Sequence, residues 1–284
     1  MMFKLGCAIW AYKGWLGDLY PARSPASQFL PLYGQRFTTV EVNATFYAVP
    51  SPETVARWRQ DTPPGFEFCP KLPRSITHEG PLQPKIDEAL RFIALMQGLG
   101  DRLGPIFAQL PPTYGPDARQ DLAAFLQGVS GCGLDLAVEV RHPQWFALPQ
   151  AGLLNQLLEA QGIGRVLLDT RPIYECNDNP QVASERRKPQ LPLQPVTTAP
   201  FSVIRYISHP DRAFNRPFMT DWVADVKDWL QRDTRVYCFV HCPVEEQSPQ
   251  NARYLQQLLN EGGVPVPELP WDHLPAEPTQ LKLF

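Results

Sequence analysis

Short apolar runs alternate with longer amphipathic stretches along this chain, the pattern made when parallel strands are joined by helical crossovers. Eight strand-like runs are read at roughly 4–9, 38–43, 66–71, 105–110, 135–140, 163–169, 202–207 and 235–241. The stretches between them predict helices at about 26–35, 52–62, 86–101, 117–128, 150–161 and 220–232, with another at 249–262 after the last strand. Ser51-Pro-Glu-Thr54 and Ser248-Pro-Gln-Asn251 each offer Ser as an N-cap with Pro at the first helical position. The connection over 170–201 breaks the rhythm: it is rich in Pro and in charge (Ser184-Glu-Arg-Arg-Lys188) and shows no helical period. A loop of that length in place of a helix is more often functional than idle. Eight strand-and-crossover units predict an α/β fold: a single TIM-like (β/α)8 barrel over 1–262, an irregular long loop at 170–201 and an extended Pro-rich tail over 263–284.

Side chains alternate faces along a strand, so residues two apart share a face. In Val40-Glu-Val-Asn43, Glu41 and Asn43 share the face opposite Val40 and Val42. In Leu136-Ala-Val-Glu-Val-Arg141, Glu139 and Arg141 oppose Leu136, Val138 and Val140. The apolar face packs on the helices, which sends the polar face into the barrel at the C-terminal strand ends. The other strands deliver Trp10, Lys71, Gln109, Asp169, Arg205 and His241 to the same rim, with Arg74 and His142 just beyond strand ends. Each alone reads as a loop cap or core residue. Jointly, charges such as Glu41, Lys71, Glu139 and Arg141 on an inward face must either pair across the barrel or await a charged ligand. Active sites of barrel enzymes lie at this rim.

The 284 residues carry a formal net charge of -3, which disfavours a general basic surface for coating nucleic acid and leaves a local basic pocket open. No apolar run approaches the roughly 20 residues that span a bilayer, and no secretory leader is read at the start, so no membrane and a cytoplasmic location are expected. Six cysteines without a CxxC pair read as reduced thiols. No Gly-rich phosphate loop, GxSxG elbow or dinucleotide fingerprint occurs, which disfavours kinase, elbow-hydrolase and Rossmann chemistry.

Several motifs together, in order, carry a family resemblance: Trp10 with Tyr12, Phe37-Thr-Thr-Val-Glu-Val-Asn-Ala-Thr-Phe-Tyr47, Pro50-Ser-Pro-Glu-Thr54, Thr62-Pro-Pro-Gly-Phe66, Lys71-Leu-Pro-Arg-Ser-Ile-Thr-His78, Gln109-Leu-Pro-Pro112 and Val138-Glu-Val-Arg-His-Pro-Gln-Trp-Phe146. Over most of residues 5–260 the chain resembles the YecE-like family, also called domain-of-unknown-function family 72. The resemblance implies a TIM-like barrel with no established activity. Family members often carry an Asn-rich stretch at the end of strand eight, where this chain has Val240-His-Cys-Pro243, whereas Asn251-Ala-Arg253 fits the family pattern.

Carboxylates Glu41, Glu139 and Asp169 are the candidate acid and base of a hydrolase or lyase, and Lys71, Arg74, Arg141 and Arg205 the candidate holders of a phosphate or carboxylate. Trp10, Asn43, Gln109, His142 and His241 complete the expected substrate-binding set. A divalent metal is a minor alternative, with Glu139, Asp169, His209 and His241 as ligand candidates but no metal-motif spacing. The chain ends in Gln280-Leu-Lys-Leu-Phe284, which resembles the short peptide that docks bacterial replication and repair proteins on the sliding clamp; Leu281, Leu283 and Phe284 would fill an apolar pocket and Gln280 would supply hydrogen bonds. The reading is therefore an enzyme for a phosphate-bearing substrate, with nucleic-acid processing and clamp docking as its widest form. The alternatives are a non-catalytic binding barrel and a small-molecule isomerase or lyase.

Overall fold

The computed structural model describes residues 2–178, 180–182 and 187–274. Eight parallel strands, β1 (Phe3–Cys7), β2 (Thr39–Val42), β3 (Glu67–Pro70), β4 (Ile106–Gln109), β5 (Leu136–Glu139), β6 (Gly164–Asp169), β7 (Phe201–Ile207) and β8 (Arg235–His241), follow one another in the expected order. Helices α1 (Phe29–Gly34), α2 (Pro52–Gln60), α3 (Ile86–Met96), α4 (Arg119–Ser130), α5 (Gln150–Glu159), α6 (Arg212–Gln231) and α7 (Ser248–Glu261) connect or follow them. Six strands pair in the order β1-β8-β7-β6-β5-β4, and β2 pairs with β3. Backbone bonds close both seams: Thr38 N donates to Leu5 O at 3.2 Å between β1 and β2, and Leu72 N donates to Phe107 O at 3.0 Å between β3 and β4. The first seam is tight enough to demand glycine, since a Cβ at Gly6 would stand 1.9 Å from Thr39 O.

The core divides as strand alternation requires. Cys69, Phe107, Ala137, Val166, Phe201, Val203, Tyr237 and Phe239 form a separate cluster in the barrel interior. Val40, Val42, Val138, Val140, Leu167 and Tyr206 belong to the larger cluster shared with the helices.

Two helix starts differ from expectation. α6 begins at Arg212 rather than near 220, because Asp211 caps it by accepting a hydrogen bond from Ala213 N at 2.9 Å and because Pro217 lies in its second turn without ending it. α7 opens at Ser248 behind a 3-10 turn, so Gln247 rather than Ser248 is its N-cap. At α2, Ser51 does cap, accepting from Thr54 N at 3.3 Å.

Between β6 and β7 a single helical turn, Arg171–Tyr174, replaces the usual crossover helix. Ile173 and Leu191 of this loop close over Leu168 and Ile207 in a small apolar cluster. The loop is thereby fastened across one side of the barrel mouth.

The Pro-rich segment read as an extended tail packs on the barrel up to residue 274. Val264 and Leu269 are buried, Trp271 meets the Phe37 ring edge-on at 5.6 Å, and Arg253 donates to Asp272 at 2.8 Å. Prolines prevent helix there, but they do not prevent an extended chain from burying its apolar side chains. Gln280, Leu281, Leu283 and Phe284 lie outside the described residues. Among the described residues no helix is long and apolar enough to cross a membrane.

Candidate functional site

Directly above the apolar interior, at the C-terminal strand ends, sits a buried charge network. Arg205 of β7 stands with its guanidinium 5.7 Å from the Phe107 ring centre. It donates through Nε and Nη2 to the two oxygens of Glu41 on β2, at 2.7 and 2.8 Å, and through Nη1 to Glu139 on β5. Glu139 also accepts from Arg141 Nε at 2.6 Å, and Glu41 is joined by His241 Nε2 at 3.0 Å. Gln109 Oε1 accepts from both Lys71 Nζ, at 2.6 Å, and Arg141 Nη2, at 2.8 Å. Five strands thus meet in one network, as side-chain alternation in β2 and β5 foretold.

Electrostatics fixes the protonation of these groups. Burial would raise Glu139, but Arg141 and Arg205 beside it outweigh that and hold its pKa at about 2. Burial opposes ionisation of Glu41 too, yet Arg205 and His241 hold it well below the usual carboxylate range. Burial, against the pull of Glu41, takes His241 down to about 4. Both acids are therefore anions at neutral pH, and His241 is a neutral ring. Neither carboxylate has a proton to give as a general acid.

Over this network opens a cavity of about 430 Å³. Of the residues expected to bind substrate, Asn43, Lys71, Arg74, Gln109, Arg141 and Arg205 line it. Glu41 and Glu139 do not: both are fully buried behind Arg205, their oxygens consumed by guanidinium contacts. His241 likewise stays behind Glu41. Trp10, half-buried, packs edge-on against Trp58 and Phe68 at 5.4 and 6.1 Å, at the edge of the core. His142 accepts a hydrogen bond from Gln144 N at 3.3 Å at the start of a 3-10 turn, away from the cavity.

Asp169 is the clearest departure. It was expected at the mouth, but strand pairing sets Leu168 level with Arg205 and Asp169 level with Tyr206, whose side chain faces the helices. Asp169 accordingly points outward, accepting from Arg171 Nε and Nη2 at 3.0 and 2.9 Å and from Trp222 Nε1 of α6 at 2.9 Å. It anchors the first turn of the long loop to the helical layer.

The metal set Glu139, Asp169, His209 and His241 does not gather: Glu139 faces the interior and Asp169 the helical layer, and each is paired with arginine. Among the described residues the one grouping with ligand atoms mutually close is Cys176, Asp178 and His209, within 4.8 Å. His209 Nδ1 accepts from Asp211 N at 2.9 Å, which places the ring proton on Nε2 facing Asp178 at 3.0 Å. That tautomer donates to the carboxylate and presents no lone pair to a metal there. All six cysteines are free, and burial pushes the Cys242 thiol up to about 12, so it is no nucleophile.

Alternation did not find Arg187, Lys188, Phe46, Tyr47 and His78, which complete the lining with Ile9. None lies on a strand. Arg187 and Lys188 come from the long loop, whose charged run was the available signal. Lys188 is held through its backbone, its N donating to Gln181 Oε1 at 2.7 Å and its carbonyl accepting from Tyr174 Oη. Burial, then Arg205, lowers its ammonium to about 8.

A closed parallel (β/α)8 barrel with charged groups gathered at the C-terminal strand ends defines this as a TIM-barrel protein. The chain belongs to the DUF72 family, described as a protein of unknown function, which it matches over residues 4–274. It is 34% identical over 286 residues to the UPF0759 protein YecE of Escherichia coli K12, covering 100% of both chains. It is 22% identical to the UPF0759 protein YunF of Bacillus subtilis, over 87% of this chain and 93% of that one. Among solved structures it is similar to a DUF72 family protein from Thermotoga maritima, with TM-score 0.70 and 23% identity over 92% of this chain and 100% of that one. A DUF72 family protein from Enterococcus faecalis matches with TM-score 0.68 and 18% identity, over 91% and 96%.

Proposed function

We propose that the mouth binds a small phosphate-bearing substrate and that the protein is an enzyme acting on it. One observation carries this reading: among the described residues six basic side chains, Lys71, Arg74, Arg141, Arg187, Lys188 and Arg205, line the cavity, and no carboxylate does. In a chain of net charge -3 that concentration is local and deliberate. Two of the guanidiniums are pre-oriented by Glu41 and Glu139, so they meet an anion at little ordering cost. A cavity of about 430 Å³ suits a sugar phosphate or one nucleotide and excludes a duplex. Nucleic acid enters this reading only as a terminal or extruded nucleotide.

Calorimetric titration with inorganic phosphate tests it. Wild-type protein should bind, and Arg141→Gln and Lys188→Gln should each weaken binding about tenfold, the effect of losing one charge-assisted contact. Equal binding by wild type and both variants, or no binding at millimolar phosphate, would sink the reading.

A non-catalytic binding barrel is favoured by one fact, that Glu41 and Glu139 are locked away from the cavity. An enzyme then needs its reactive group elsewhere on the wall. Gln280-Leu-Lys-Leu-Phe284 is proposed separately as a docking peptide for the sliding clamp, supported by its sequence alone.

A further inference from the structure

Lys71 stands apart from the other cations of the mouth. Its Nζ bonds to a neutral amide oxygen, Gln109 Oε1, at 2.6 Å and lies 4.0 Å from the centre of the Phe46 ring. Among the described residues no carboxylate comes within ion-pair distance of it, whereas Arg205 and Arg141 have theirs. The residue is 4% exposed yet reaches the cavity wall, which Ile9, Phe46, Arg141, Lys188 and Arg205 also line. An amine so placed has a partner that tolerates its neutral form and a lining beside it that holds an anion.

We infer that Lys71 forms an imine with the carbonyl carbon of a small phosphorylated aldehyde or ketone, its phosphate held by the arginines and Lys188. The inference rests on the phosphate-binding reading and gives that site its reactive group. Burial, then the Arg205 charge, takes the Lys71 ammonium down to about 7, so a large share is free amine at neutral pH. Lys188, at about 8, remains mostly protonated on the same wall.

The chemistry balances without an oxidant. The Nζ lone pair bonds to the carbonyl carbon, the C=O π pair moves onto oxygen, and that oxygen gains a proton while nitrogen loses one. A second proton, from the Lys188 ammonium, converts the hydroxyl to water. The C–O bond breaks, and the nitrogen lone pair makes the C=N bond. One amine, one carbonyl and the Lys188 proton give one iminium and one water, and return of the iminium proton to the Lys188 amine leaves the neutral imine. Glu41 and Glu139, anionic beneath the cavity, partly offset the burial and the Arg205 charge that disfavour a cation on this nitrogen.

Borohydride trapping tests the inference. Full-length protein is incubated with glyceraldehyde 3-phosphate, reduced with sodium borohydride, digested and mapped by mass spectrometry; the chain has only seven lysines. Reduction should fix the adduct on Lys71 at about tenfold the level of any other lysine, and the same excess over phosphate-free glyceraldehyde should be seen, the discrimination expected of one charge-assisted contact. Excess inorganic phosphate should suppress it. Because the map is read on wild type, the result does not depend on a variant folding; Lys71→Arg, which keeps the charge and removes the nucleophile, should abolish the adduct. Labelling concentrated on Lys13, Lys85, Lys227 or Lys188, or labelling of Lys71 indifferent to phosphate, overturns the inference. Calorimetric phosphate binding without a Lys71 adduct removes the imine and leaves the phosphate site standing, whereas failure of both removes both.

Discussion

Arg205 is the residue on which the site depends, because among the described residues it alone bonds to both Glu41 and Glu139. Its two-pronged bond to Glu41 and third bond to Glu139 neutralise carboxylates that have no water to solvate them. Arg205→Met would leave Glu41 with His241 as its remaining partner, and breaking a buried pair from one side costs about 3–5 kcal/mol. A urea unfolding series should show that loss, and Glu41→Gln in the same chain should recover much of it, since the pair is coupled. A loss below about 1 kcal/mol would mean the network is solvated, contrary to its burial. The same residues set the acid response. The Glu139 pKa of about 2 lies below its ordinary 4.5, so the stability it gives is complete above 4.5 and disappears as pH falls towards 2. His241 and His78, each at about 4 against 6.5, add a loss of the same sign between 6.5 and 4, because the unfolded chain takes up their protons first, and Glu245, raised by burial to about 7, opposes part of it down to 4.5. Melting temperature should therefore fall from pH 6.5 downward, and Glu139→Gln should flatten the limb below 4.5 while leaving the histidine limb in place.

At the scale of elements, the long loop between β6 and β7 turns a barrel rim into a closed-sided pocket, and a side chain at each end of its first section pins it. Asp169 holds Arg171, and His209 beyond β7 donates to Asp178 at 3.0 Å. Asp178→Ala should speed limited proteolysis between residues 175 and 190 and weaken phosphate binding several-fold, since Lys188 would then be held less well. The exposed pair itself is worth only about 0.2–1 kcal/mol, so global unfolding should hardly change. Unaltered cleavage would show that the apolar contacts of Ile173 and Leu191 suffice. These elements also show what could be read from residues alone. In β2 and β5 polar and apolar side chains alternate, so the phase of the strand is written in Val40-Glu-Val-Asn43, and Glu41 and Glu139 are correctly turned inward. In β6 the residues before Asp169 are Val166, Leu167 and Leu168, apolar on both faces, and no phase can be read; register alone sends Asp169 outward. The loop has no period at all, so Arg187 and Lys188 could be suspected from charge but not aimed. Alternation likewise does not say whether an inward acid reaches the cavity or stops behind an arginine.

The whole molecule couples the barrel to its C-terminal segment, whose described part and whose final residues can be tested separately. Residues 264–274 act as a strap: Val264 and Leu269 are buried, Trp271 covers Phe37, Arg253 lies 4.9 Å from the Trp271 ring centre, and Gln256 Nε2 donates to Pro267 O at 2.9 Å. Each large apolar side chain fully buried is worth roughly 1.5–3 kcal/mol, so the strap contributes several kcal/mol to a fold whose net stability is of order 10 kcal/mol. Ending the chain after residue 262 should lower the melting temperature by roughly 10 °C, at about 2–4 °C per kcal/mol for a domain of this size. Ending it after residue 274 should leave the melt and the phosphate titration unchanged, because every described contact of the strap remains. The same 1–274 chain lacks Gln280, Leu281, Leu283 and Phe284, so it isolates the proposed docking peptide while keeping every described residue. Purified sliding clamp should retain the full chain and release the 1–274 chain. Equal retention of both, or of neither, would remove clamp docking and leave the final residues without an assigned partner, while the strap would stand or fall on the melting temperatures alone.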